Sequence, residues 1–202
     1  MASDLRPNAF LSFPITNGNL LKNLYLIQNQ YLSKDNRLEE FLYPLESTHI
    51  SLLGFHVDEQ RKEECKLILK EIFENKLRLS DLEVIKFKGL GFLGSKVIYA
   101  KPVSGVSTLI NLHELFSEHL QKHGFIVVND CEYIPHLTLF EGRRQRGRAN
   151  KRAKQNIIKE NFSEENYSDF GEQSLNEIQY LSLVKSNDSN IRYNCEEIYR
   201  IN

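Results

Sequence analysis

Two stretches of the chain share one arrangement of reactive side chains. Thr48-His49-Ile50-Ser51-Leu52 and Pro135-His136-Leu137-Thr138-Leu139 both read histidine, aliphatic, hydroxyl, aliphatic. Successive side chains on an extended strand alternate faces, so His49 and Ser51 share one face while Ile50 and Leu52 share the other. His136 and Thr138 are separated from Leu137 and Leu139 in the same way. A neutral imidazole can take a proton from an attacking hydroxyl while a protonated one delivers a proton to a leaving oxygen. An unperturbed pKa near ~6.5 makes both forms accessible. Hydroxyl donors can bond non-bridging phosphate oxygens as negative charge builds there. The set suits phosphodiester cleavage with no metal ion or other cofactor. One such pair on a strand is common by chance; two copies, one in each half of the chain, carry the reading.

For the four polar groups to converge, both motif strands must lie side by side in one sheet. The surrounding pattern can supply that sheet. Residues 9–15 read as a strand, and Leu20, Leu24, Ile27 and Tyr31 mark one face of a helix. The first motif strand, 48–55, precedes a helix that Asp58 can cap and that buries Cys65, Leu69, Ile72 and Phe73. A hairpin is predicted over 82–92 and 96–101. A third helix starts near Ser107 or Thr108, buries Leu109, Leu112, Phe116 and Leu120, and stops at Gly124. A short apolar run at 125–128, the second motif strand at 135–140, an acidic loop over 160–174, and strands near 178–184 and 193–201 complete an α+β chain.

The 202 residues are read as a single domain, 1–202. Neither a bilayer-spanning apolar run nor a signal peptide is evident. Three scattered cysteines, Cys65, Cys131 and Cys195, suit a reducing compartment and are read as structural. A cytoplasmic location, or a nuclear one, without membrane contact is therefore expected, and a monomer is the default from size and evenly mixed surface charge. The net charge of −1 conceals a basic insert at 143–159 that contains no acidic residue. This insert can attract nucleic acid, serve as a nuclear localisation signal, or simply be a solvated loop.

Strand alternation nominates Phe55 and Phe140, on the faces of His49 and His136, for stacking on a base, against the alternative that both are core. Arg143, where the basic insert begins, can add charge for a substrate's phosphates. His119 and His123, spaced i, i+4, could ligate a metal, but a third ligand is missing and a surface role near a helix C-terminus is favoured. His56 and His113 have no evident partner.

At its paired motifs the sequence resembles the two-histidine (2H) phosphoesterases. Within them it is similar to the subgroup holding the central domain of A-kinase anchor protein 7 and the viral 2',5'-phosphodiesterases. The likeness extends through Pro7 to Asn17, His49 to Leu53, Phe87 to Gly91, Pro135 to Thr138 and Phe170 to Glu172, nearly the whole chain. It implies two lobes about a pseudo-twofold axis, antiparallel strands around a central cleft, and helices outside. His49 and His136 are then the catalytic pair, with Ser51 and Thr138 as phosphate ligands. Ser51 stands where the subgroup more often has threonine. The implied activity is metal-independent cleavage of 2',5'-oligoadenylates to 2',3'-cyclic phosphates. The alternatives are a nucleotide (AMP)-binding or scaffolding module, or a 2H enzyme acting on cyclic phosphates or 3',5'-RNA ends. Kinase anchoring is not expected, because no amphipathic helix follows the last predicted strand.

Overall fold

The computed structural model describes residues 6–78, 82–128, 132–142, 168–184 and 192–201. The element order is β1 (Ala9–Pro14), α1 (Gly18–Lys34), β2 (His49–His56), α2 (Lys62–Lys76), β3 (Ile85–Leu93), β4 (Val97–Ser104), α3 (Val106–Lys122), β5 (Ile126–Val127), β6 (Leu137–Glu141), β7 (Asp169–Gln173), β8 (Glu177–Val184) and β9 (Arg192–Arg200). The described strands form one antiparallel sheet in the order β7-β3-β4-β6-β2-β1-β8-β9, with β5 pairing to β2. The two motif strands are neighbours at its centre, with three strands outside each. The architecture is an open, mixed α+β sheet, with the two motif strands meeting at the β2–β6 seam. The last two strands return to pair beside the first, so residues from both ends of the chain build the β2 half.

Helix α1 starts where the Asn17 side chain accepts bonds from the backbone N–H groups of Asn19 and Leu20, and it buries Leu20, Leu24, Ile27 and Tyr31 as its spacing predicts. Helix α3 begins one residue ahead of expectation because Gly105, at φ 67°, turns the chain into it. The positive φ at Gly105 favours glycine, and a side chain there would also have to displace the end of the Ile85 side chain. Asp58 does not cap α2 as expected. A short 3-10 turn, Glu59–Arg61, intervenes, and the Asp58 side chain makes no capping bond.

Strand β7 lies within the segment expected to be an acidic loop. Its charge hides a short edge strand that pairs with β3 from Ile85–Gln173 to Lys88–Asp169 and buries Phe170 completely. Gln173 is buried there too. Its amide oxygen accepts from the backbone N–H groups of Thr16 and Asn17, and its amide nitrogen donates to Thr16 Oγ1 and the Ser174 carbonyl. Four bonds remove the cost of burying that amide.

Candidate active site

Strands β2 and β6 meet through the antiparallel pair Ile50–Leu137. Register about that pair sets His49 opposite Thr138 and Ser51 opposite His136. It also leaves the two histidines on a diagonal, where Cα atoms lie ~7–8 Å apart. All four side chains are half-buried, while Ile50, Leu52, Leu137 and Leu139 are buried beneath them. The alternation read from the motifs thus brings the four candidate groups together.

Each imidazole is aimed in the same way. His49 Nδ1 lies 2.8 Å from the Ser47 carbonyl and His136 Nδ1 lies 2.7 Å from the Ile134 carbonyl, each two residues upstream. A carbonyl oxygen only accepts, so both Nδ1 atoms donate, and in the neutral ring Nε2 carries the lone pair. His49 Nε2 is 3.0 Å from Ser51 Oγ, whose hydroxyl donates to it. Burial pushes the pKa of both histidines below the ordinary value, and the backbone bond opposes this in each. For His49, the charge of protonated His136 pushes further down.

Tyrosines that the sequence reading did not single out wall the site. Tyr43 and Tyr193 stand edge-on to His49, with centroids at 6.1 and 6.0 Å, and Tyr99 stands edge-on to His136 at 5.5 Å. The Tyr43 hydroxyl is also 3.4 Å from His49 Nδ1, a long second contact. Tyrosine carries no motif of its own, and only neighbouring strands and loops put these rings beside the histidines.

Phe55 and Phe140 must be reassigned. Both are 0% exposed; Phe55 stacks on Tyr180 at 5.8 Å and Phe140 meets Tyr31 at 6.4 Å. The reason is a β-bulge in each motif strand. Leu11 pairs with Leu53 and Ser12 with Ser51, leaving Leu52 as an extra residue; Ile98 pairs with Phe140 and Tyr99 with Thr138, leaving Leu139 extra. An extra residue reverses the alternation beyond it, so both phenylalanines turn from the histidine face into the core.

Two helix side chains whose partners were not evident in the sequence reach the carbonyls of the extra residues. His113 Nδ1 donates to the Leu52 carbonyl at 2.8 Å, and Gln28 Nε2 donates to the Leu139 carbonyl at 2.9 Å. His119 lies beside Lys76, its Nε2 at 2.6 Å from Lys76 Nζ. Among the described residues no three His, Cys, Asp or Glu side chains gather as a metal site would require. Arg143, Cys131 and the basic insert fall outside the described residues.

A central pair of histidine-hydroxyl strands in an open antiparallel sheet defines the 2H phosphoesterase class. The chain matches the family described as the AKAP7 2'5' RNA ligase-like domain over residues 7–201, and it belongs to that family. Human A-kinase anchor protein 7 isoform gamma is 29% identical over 199 residues, covering 96% of this chain but 57% of that protein. Among solved structures, E. coli LigT complexed with 3'-AMP aligns with a TM-score of 0.62 at 11% identity, covering 97% of this chain and 98% of LigT. The MHV ns2 PDE domain aligns with a TM-score of 0.51 at 20% identity, covering 67% of this chain and 83% of that domain. No helix among the described residues is long and apolar enough to cross a membrane.

Proposed function

We propose that the chain is a 2',5'-phosphodiesterase that cleaves 2',5'-oligoadenylates by paired histidine acid-base catalysis. The observation that carries this reading is the Ile50–Leu137 pairing, which gathers two similarly tethered imidazoles and two hydroxyls on one face of the sheet. In a 2',5' linkage the free 3'-hydroxyl is adjacent to phosphorus. One neutral imidazole accepts the proton of that hydroxyl as its oxygen attacks, and the bond to the 5'-oxygen breaks. The other, protonated imidazole gives its proton to that leaving oxygen, and a 2',3'-cyclic phosphate remains. Ser51 and Thr138 donate to the non-bridging oxygens, Ser51 releasing His49 as the phosphate enters.

The family description names 2'5' RNA, LigT was solved with 3'-AMP and ns2 is described as a PDE, all of which support a nucleotide phosphodiester as substrate. With Phe55 and Phe140 in the core, Tyr99 and Tyr193, the latter 39% exposed, are rings among the described residues on which a base can stack. Arg143 is assigned to substrate phosphates because it follows β6 so closely in sequence. Acid and base both come from side chains, so the reaction should need no metal.

Matched 2',5'- and 3',5'-triadenylates incubated with the protein in chelator test this reading. Selective loss of the 2',5' oligomer with a cyclic phosphate product is expected, and Arg143→Ala should raise KM. Equal cleavage of both linkages would move the substrate to another branch of the class. Binding without cleavage would make the chain a nucleotide-binding module.

A further inference from the structure

The seam between the two halves is thinly hydrogen-bonded. Strands β8 and β9 pair from Glu177–Arg200 to Val184–Arg192, whereas β2 and β6 share the single pair Ile50–Leu137. One pair does not hold two imidazoles at a set separation, so other groups must hold the register at the seam.

Tyr133 stands at that seam. It lies three residues ahead of His136, immediately before Ile134, whose carbonyl orients the His136 ring. Its hydroxyl donates to the Ser51 carbonyl at 3.0 Å, tying the approach to the second motif onto the backbone of the first. Its ring lies flat on His113, with centroids 4.3 Å apart and planes 5° from parallel. His113 in turn donates to the Leu52 carbonyl. Two stacked rings on different elements thus hold successive carbonyls at the β2 bulge, and one of them also precedes the second catalytic candidate.

We propose that Tyr133, held in place by His113, is a positioning residue that sets the placement of the His136 imidazole relative to Ser51 and His49. The proposal rests on the functional reading above for its effect on turnover, but not for its effect on the ring itself. Without the hydroxyl bond, residues 133–134 are free to shift, and the carbonyl that fixes the His136 tautomer shifts with them. Small displacements of a proton donor are costly, about 10- to 100-fold in rate for misplacements near 1 Å.

Tyr133→Phe keeps the ring and the stack while removing one donor, so the fold should survive. His113→Gln keeps a donor for the Leu52 carbonyl and removes the stack. The ring-nitrogen NMR signals of His136 in the whole chain report whether Nδ1 still carries the proton. The wild type should show the Nδ1–H tautomer and Tyr133→Phe a mixture, with His113→Gln shifted in the same direction but less. With 2',5'-diadenylate, kcat should fall about 10-fold for Tyr133→Phe while KM stays within about 2-fold. Unchanged His136 ring signals in Tyr133→Phe would overturn the proposal. A wild type that cleaves nothing would overturn the functional reading instead, and the ring signals would still decide the role of Tyr133.

Discussion

The halves around His49 and His136 are built alike and finished differently. In both, Nδ1 donates to the carbonyl two residues upstream, the bulge falls three residues after the histidine, and a polar side chain from a helix takes the bulge carbonyl. The bracing is crossed. His113 on α3, which follows β4 in the His136 half, serves β2; Gln28 on α1, which follows β1 in the His49 half, serves β6. Gln28 also donates to the Tyr43 carbonyl, and the Tyr43 N–H reaches the Leu139 carbonyl. The halves differ in cover: among the described residues, His49 has two tyrosine edges and a bond from Ser51, whereas His136 has one tyrosine edge. The fold thus repeats the tether of each imidazole but varies its surroundings, the kind of difference that the proposed mechanism requires of two identical side chains in opposite protonation roles.

The strongest way to break the comparison is to remove either imidazole. His49→Ala and His136→Ala should each lower kcat by about 100- to 10,000-fold with 2',5'-triadenylate, and the double variant should be little worse than either alone. A large loss from one variant alone would mean that the halves are not partners. Next come the buried rings that the bulges turn inward. Phe55→Ala and Phe140→Ala should each cost about 3–5 kcal/mol in urea unfolding, with any loss of kcat/KM explained by the unfolded fraction. Removing one hydroxyl by Ser51→Ala or Thr138→Val should lower kcat/KM by about 10- to 100-fold, the worth of one bond to a charged phosphate. Near-equal losses would sharpen the symmetry.

A pH series probes the same pair more gently. Both histidines have pKa values lowered by burial, so the bell of kcat/KM should centre on the acid side of ~6.5. The same shift ties stability to pH. The unfolded chain binds more protons as pH falls below about 6.5, so stability present above that value should decline through the lower folded-state pKa values. The charge of His136 helps to hold His49 down, so His136→Ala should raise the His49 midpoint in an NMR titration. The smallest effect is expected from Tyr43→Phe, which removes a long 3.4 Å contact and should change kcat by less than about 3-fold.

Much of this site was legible because its pattern is local. Helices α1 and α3 and both motif strands follow from spacing within a few residues, and His49, Ser51, His136 and Thr138 share a face because a strand alternates. Strand β7 was not legible: Asp169 and Glu172 are polar enough to read as loop until β3 lies alongside. Tyr43, Tyr99, Tyr133 and Tyr193 were likewise silent, since a tyrosine becomes part of a site only through what folds against it.

Residue order alone determined the kinds of reactive group, their pairing with hydroxyls and the aliphatic backing that buries each strand. Tertiary structure decided where alternation breaks, which sends Phe55 and Phe140 inward, and which donors reach the carbonyls at the bulges. The physical reason is range. Side-chain alternation is a property of one extended backbone, whereas a bulge exists only relative to the strand beside it, and that neighbour is selected by packing across the whole sheet.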